Sequence, residues 1–283
     1  MLALDATGRE LLRRRVPTPA ADYRATLSAV AALVRAAETE LGGSGTVGIG
    51  TPGAISRLSG RIKNANSTCL NGQALKQDIE ALLGREVRIA NDANCFALSE
   101  AIDGAGCGAR VVFGVILGTG VGAGVVVERQ VLVGPNAIAG EWGHNPLPLP
   151  QGNDLPLPAC YCGRRGCIET YLSGPGLAAQ HLAVTGRSLT PPEICAAAEG
   201  GDARADSVLA QYEVRLARSL GQVINILDPD VIVLGGGLSN IERFYDSVPR
   251  LWSAYVFSDG VSTRFERNRH GDAGGVRGAA WLW

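Results

Sequence analysis

From Gly140 to Glu169 the chain reads GEWGHNPLPLPQGNDLPLPACYCGRRGCIE. His144 is one of three histidines, and Cys160, Cys162 and Cys167 are three of seven cysteines. A C-x-C-x4-C run with a histidine upstream supplies three thiolates and one imidazole, the donor set of a closed tetrahedral zinc site. Gly163 and Gly166 let the backbone between the cysteines turn around one ion. Clustered thiols beside a histidine favour a metal over three unrelated buried cysteines. Disulfides are not expected, because nothing in the sequence signals export. Glu141 and Glu169 flank the four ligands. A metal that staples two loop segments fixes these carboxylates in space, where their oxygens accept hydrogen bonds from a polyhydroxylated ligand. As solvated surface glutamates they fit the sequence equally well.

The totals bound the rest. A chain of 283 residues builds one large domain or two lobes, and 46% hydrophobic with 19% charged residues fits a globular core. A net charge of −1 lacks the clustered basic excess of a nucleic-acid footprint. The charged N-terminal residues Asp5, Arg9, Glu10 and Arg13 to Arg15 exclude the apolar core of a signal peptide. The longest uncharged run, Val111 to Val127, is rich in glycine and reads as strand, turn, strand rather than as a membrane helix. These features predict a soluble protein of the reducing cytoplasm.

Along the chain, Met1 to Leu4 and Leu11 to Val16 read as strands around a turn at Thr7-Gly8. Asp22 caps a helix to about Leu41. Thr46 to Gly50 is a strand ending in the turn Gly50-Thr51-Pro52-Gly53. Lys63 to Gly72 is an Asn- and Gly-rich loop whose amides face a ligand or, for Asn71, serve turn chemistry. A helix to about Leu83 and a strand at Val87 to Ala90 follow. That strand runs into Asn91-Asp92-Ala93-Asn94 and a helix to about Ile102. The junction puts Asp92 at the carboxyl edge of a sheet, where open α/β folds bind ligands; a helix N-cap is its plainer role.

Val111 to Leu117 is an apolar strand, followed by a glycine run from Gly118 to Gly124 and a strand from Val125 to Glu128. Alternating glycines let phosphate approach backbone N–H groups, or simply make a tight turn. Neither a dinucleotide fingerprint nor a Walker loop is present. Ser173 caps a helix to about Val184, Thr190-Pro191 opens another, and a long amphipathic helix lies within Asp202 to Leu227. Val231 to Leu234 is a buried strand meeting Gly235-Gly236-Gly237, which suits close approach of a ligand. A helix from about Asn240 is expected to bend or end at Pro249. Thr263 to Arg267 reads as a strand and Gly275 to Trp283 as a terminal helix. Strands recur in both halves, which predicts two α/β lobes around a cleft.

Five segments together resemble the ROK family (repressors, open reading frames, kinases) of sugar kinases: Asn91-Asp92-Ala93-Asn94, LGTGVGAG from Leu117, GEWGH from Gly140, CYCGRRGCIE from Cys160 and DPDVIVLGGGLSN from Asp228. The resemblance implies an α/β, two-lobed actin-like ATPase (ribonuclease H-like) fold. Its small lobe would span residues 1–104, with 271–283 packing back on it, and its large lobe 105–270. KNANSTCLNG from Lys63 and HGDAGGVRGAAWLW from His270 look most like bacterial fructokinase, with N-acetylglucosamine kinases and glucokinases as the alternative branch. Asp92 would then be the general base. Gly53, Asn66, Asn91, Asp92, Glu141, His144 and Glu169 would contact the sugar, and His144, Cys160, Cys162 and Cys167 would hold zinc. Gly118, Thr119, Gly120, Val121, Gly122, Ala123, Gly124 and Val125 would hold the phosphates of ATP with Mg2+, and Gly235, Gly236 and Gly237 would face the adenosine.

The family also opens with a strand ending in Asp-x-Gly-Gly-Thr-Lys. This sequence has no such motif, and Met1 falls where the family's second strand begins. The fold is therefore expected without its first strand, and roughly fifteen further residues are expected upstream. The function implied is ATP-dependent phosphorylation of fructose or mannose at the 6-hydroxyl, by a cytoplasmic homodimer with no nucleic-acid or membrane partner. A catalytically impaired sugar-binding protein and a sugar-responsive regulator are the readings of another class.

Overall fold

The computed structural model describes residues 1–19 and 21–283. It begins with β1 (Leu2–Leu4) and β2 (Glu10–Arg13), an antiparallel hairpin shorter than the sequence suggests. The Asp5 carboxylate closes the turn by accepting from the N–H groups of Thr7 and Arg9. Asp22 caps α1 (Tyr23–Leu41) by accepting from the Ala25 N–H, and Gly42 ends it in the left-handed region. β3 (Gly48–Thr51), β4 (Ala54–Ile55), β5 (Ile62–Lys63), α2 (Leu75–Leu83) and β6 (Arg88–Asn91) complete the N-terminal part. β3 pairs in parallel with β6, and β4 pairs with β5 as a separate ribbon. Ile62, Leu70, Leu75, Ile79 and Val87 form the core beneath them with Leu27 of α1.

The hairpin β1–β2 is a sheet of its own and makes no strand pairing with β3. An apolar cavity of about 810 Å³ separates them, lined by Leu2, Val30, Val34, Ile49 and Ala279 among others, and it reaches Asp92.

The C-terminal part is built on α3 (Asp92–Asp103), β7 (Val111–Leu117), β8 (Val121–Val127) and β9 (Gln130–Val131). Next come α4 (Glu169–Leu172), α5 (Gly174–Thr185), α6 (Pro191–Glu199) and α7 (Ala203–Leu227). β10 (Val231–Gly235), α8 (Arg243–Trp252), β11 (Arg264–Arg267) and α9 (Gly274–Ala280) end the chain. Five strands join in the order β11-β10-β7-β8-β9, with β10 parallel to both neighbours. Successive residues of β10 face opposite sides of this sheet. Ile232 and Leu234 pack with Leu216, Leu220 and Phe244 of α7 and α8, whereas Val231 and Val233 pack with Phe96, Ala97 and Ala101 of α3. Both sides are covered, which is why the strand is apolar at every position. Pro249 lies inside α8, and the helix nevertheless runs on to Trp252.

Among the described residues no helix is long and apolar enough to cross a membrane. α3 is the seam between the halves. It starts at the end of β6 and lies on the large sheet so closely that a Cβ on Gly124 would sit 2.6 Å from the Ala93 carbonyl oxygen. The buried Glu100 carboxylate of α3 accepts from the N–H groups of Ala105, Arg269 and His270. Asp103 pairs with Arg277 and with His270, tying α3 to α9 and its approach.

Candidate active site

At the β6–α3 corner the N-cap is not Asp92, the residue to which sequence reading assigns that plainer role. The cap is Asn91: its Oδ1 accepts from Ala93 N–H at 2.9 Å and from Asn94 N–H at 3.4 Å, while its Nδ2 donates to the Gly53 carbonyl at 3.1 Å. Asp92 is thereby the first helical residue, with Oδ1 accepting from Ala93 N–H at 2.8 Å. Asp92 is open to solvent on one side and borders the apolar cavity beside β3, with protein around its carboxyl on the others. That enclosure pushes the carboxyl above its ordinary range, and the hydrogen bond from Ala93 only partly opposes the push. A carboxylate made more basic in a cleft suits proton abstraction.

The four sequence-predicted metal ligands converge. Their ligating atoms all lie within 4.8 Å of one another. His144 Nδ1 lies 3.6 Å from Cys160 Sγ, and Cys162 Sγ lies 3.6 Å from Cys167 Sγ. A tetrahedral zinc with bonds of about 2.3 Å to sulfur and about 2.0 Å to nitrogen sets sulfur–sulfur at about 3.8 Å and sulfur–nitrogen at about 3.5 Å. The cluster fits that geometry. Bridges join Pro146 to Cys167 and Ala159 to Arg165, so the two loop segments are already held side by side. The Arg164 backbone N–H draws the Cys162 thiol below its ordinary value, while burial raises Cys160 and Cys167.

The other His144 nitrogen, Nε2, lies 2.9 Å from the Tyr161 hydroxyl, and the rings meet edge to face. Tyr161 is 79% exposed and stands over the cluster near Glu169 and Glu141; burial and those charges push its phenol up to about 12. Sequence reasoning singled out the cysteines on either side of it and passed it over; its place between two ligands was the available signal. Any sugar contact from His144 shares Nε2 with this hydroxyl.

Glu169 opens α4, and its Oε2 accepts from the Val121 N–H at 2.9 Å, at the tip of the β7–β8 hairpin. The glycine run is divided there, which corrects the expected loop from Gly118 to Gly124. Only Gly118, Thr119 and Gly120 form the tip, whereas Val121, Gly122, Ala123, Gly124 and Val125 are strand. α3 occupies the space a side chain at Gly124 would need, and a Cβ at Gly122 would sit 3.3 Å from the Ala93 Cβ. Gly236 has φ +79°, and a Cβ there would sit 2.3 Å from the Leu117 carbonyl oxygen, so the glycines after β10 lie against the base of the hairpin. Nothing crowds Gly118 or Gly237. Asn66 is exposed, and Asn71 makes the paired bonds to Ala65 that shape its loop. Glu141 and Asn91 line one cavity of about 100 Å³ between the two halves.

A sequence model of the ROK family matches residues 1–283. The chain belongs to the ROK family. It is 44% identical over 282 residues to the N-acetyl-D-glucosamine kinase of Salmonella heidelberg (strain SL476), which covers 98% of this chain and 93% of that relative. Among solved structures it is similar to the ROK hexokinase from Thermus thermophilus, with TM-score 0.85, 32% identity and coverage of 96% of this chain and 90% of that one. It is also similar to a ROK family glucokinase from Streptomyces griseus in complex with glucose and AMPPNP, with TM-score 0.75, 27% identity and coverage of 99% and 93%. The fold is accordingly the actin-like ATPase fold of ROK sugar kinases. The names of the sequence relatives favour the N-acetylglucosamine branch, the reverse of the order expected from the loop at Lys63 to Gly72.

A second group in this ROK chain also escaped the sequence. Asp154, in the loop between the two halves of the metal cluster, is buried beside Arg215 and Arg218 of α7, each 2.7 Å from one of its oxygens. Burial alone would raise this carboxyl; the two guanidiniums and the Gln151 N–H hold it below its ordinary value. The pairing anchors the loop of the Cys/His cluster to the long helix. Partners this far apart in sequence leave no local pattern to find.

Proposed function

We propose that the chain transfers the γ-phosphoryl group of ATP to a hexose, with N-acetyl-D-glucosamine as the sugar and the 6-hydroxyl as acceptor. The reading rests above all on Asp92, a carboxyl held above its ordinary range at the cleft-facing end of β6, capped by its neighbour and so free to act. In this reading the sugar oxygen attacks the γ-phosphorus, its proton passes to Asp92, and ADP leaves. Asn66, Asn91, Glu141, His144 and Glu169, with Gly53 behind Asn91, orient the sugar. The hairpin tip at Gly118 to Gly120 faces the phosphates, and Gly235 to Gly237 faces the adenosine. Magnesium bound with the nucleotide neutralises phosphate charge, and most of the catalysis is positioning. Zinc held by His144, Cys160, Cys162 and Cys167 fixes Glu141 and Glu169. The same reading makes the protein a cytoplasmic homodimer without nucleic-acid or membrane partners.

Coupled ADP release measured with a panel of sugars tests it. The expected order in kcat/KM puts N-acetyl-D-glucosamine above fructose and mannose. Fructose above N-acetyl-D-glucosamine would return the assignment to the fructokinase branch. ATP turnover unchanged by any hexose would instead favour a sugar-binding protein without kinase activity.

A further inference from the structure

Beside the proposed sugar site lies the cavity of about 100 Å³ between the two halves. Its wall is apolar: Ala54 and Ile55 of β4, Ile89 of β6, and Val133, Ala137 and Ala139 of the segment leading to Glu141. Its polar edge is formed by Asn91, Asn94 and Glu141. Asn94 Oδ1 is buried and has no hydrogen-bond partner, although buried acceptors are normally satisfied. The Lys63 ammonium donates to the Asn136 carbonyl at 2.9 Å, holding the 133–139 segment across from the N-terminal half.

We infer that this cavity takes the acetamido group of the sugar, and that Asn94 with the alanine wall sets the preference for an acylated amino sugar over a plain hexose. This deepens the proposed function and rests on it. A water has a liquid volume of about 30 Å³, so a cavity of about 100 Å³ holds more than a single hydroxyl would fill. An acetamido group has both parts the lining lacks. Its N–H is a donor for Asn94 Oδ1, and its methyl covers apolar surface that would otherwise face trapped water. Asn91 and Glu141 line the cavity and are proposed sugar contacts, so sugar ring and substituent are held by one continuous surface.

Glucose and N-acetyl-D-glucosamine differ only at this substituent and make the comparison. Ala139→Leu and, separately, Ala54→Leu fill the cavity from opposite sides at partly exposed positions. Wild-type protein is expected to favour N-acetyl-D-glucosamine in kcat/KM. Each variant should lower kcat/KM for that sugar by about 10–200-fold, the range for a group that no longer fits an apolar pocket, and change that for glucose by less than about threefold. Asn94→Ala should lower kcat/KM for N-acetyl-D-glucosamine by more than it lowers that for glucose. An equal fall for both sugars, or no fall for the acetylated one, overturns the inference. Calorimetric titration of each sugar into the same proteins separates the two levels of the argument. If no hexose is phosphorylated but N-acetyl-D-glucosamine binds wild type and not the leucine variants, the kinase reading fails and the subsite stands. If wild type binds the two sugars alike, the subsite fails whatever the kinase activity.

Discussion

β10 and β3 are both short parallel strands, but they sit in opposite surroundings. β10 has a strand on each edge, helices on each face, and all five residues buried. β3 has β6 on one edge and the apolar cavity on the other, and Thr51 alone of its four residues is buried. The proposed catalytic aspartate follows the weakly supported strand pair, yet it is not positioned by that pair alone. It opens α3, whose Phe96, Ala97 and Ala101 pack into the large sheet. The metal loop is anchored to the same half through Asp154, Arg215 and Arg218. The firm half therefore holds both the proposed base and the loop meant to present the sugar, while the N-terminal half supplies one wall of the cleft.

The comparison breaks most visibly if the firm half is not firm. Phe244 stacks on Tyr212 at 5.0 Å in the fully buried core. Phe244→Ala should cost about 3–5 kcal/mol, read by urea denaturation, and hydrogen exchange should find the β10 amides slowest and those of β1 and β3 much faster. Equal protection of β3 and β10 would remove the contrast. Metal sharpens it next. Chelation should destabilise the protein by about 2.7 kcal/mol relative to free zinc at 100-fold above Kd, raise KM for sugar, and accompany loss of one zinc per chain by elemental analysis. Cys162→Ser should do the same without chelator; protein purified natively with no zinc would reject the metal assignment.

What the sequence made legible follows the same division. Helices α1 and α7 could be read because Asp22 and Asp202 cap regular amphipathic runs, and β7 because it is continuously apolar. The convergence of His144, Cys160, Cys162 and Cys167 was legible because the four donor side chains lie close along the chain. The start of β8 was not, since glycine signals a loop locally, whereas Gly124 is required by the approach of α3. Tyr161 and the Asp154 pairs were missed for want of any periodic signal. Sequence reading points to Asp92 as the cap, but it is Asn91, which also donates to the Gly53 carbonyl, a partner 38 residues away that no local pattern shows.

The smallest effect concerns the cavity beside β3. Val34 of α1 lines it, and Val34→Leu adds one methylene to empty apolar space. It should raise stability by about 0.8 kcal/mol, measured by thermal or urea unfolding. A loss of stability would mean that the cavity is already filled in solution.

The central claim is that Asp92 is the base, and Asp92→Asn over a range of pH tests it most directly. The cap belongs to Asn91, so the amide leaves the helix start intact. The folded protein disfavours the ionised form of a carboxyl held above its ordinary range, so a neutral amide should not lower the melting temperature at neutral pH. Wild-type kcat should fall as pH drops through that raised value, because protonation removes the base. The variant should lose about 10²–10⁴ in kcat together with that acid limb, and still bind sugar. A variant that folds, binds sugar and turns over at a near-normal kcat with the limb unchanged would contradict the account.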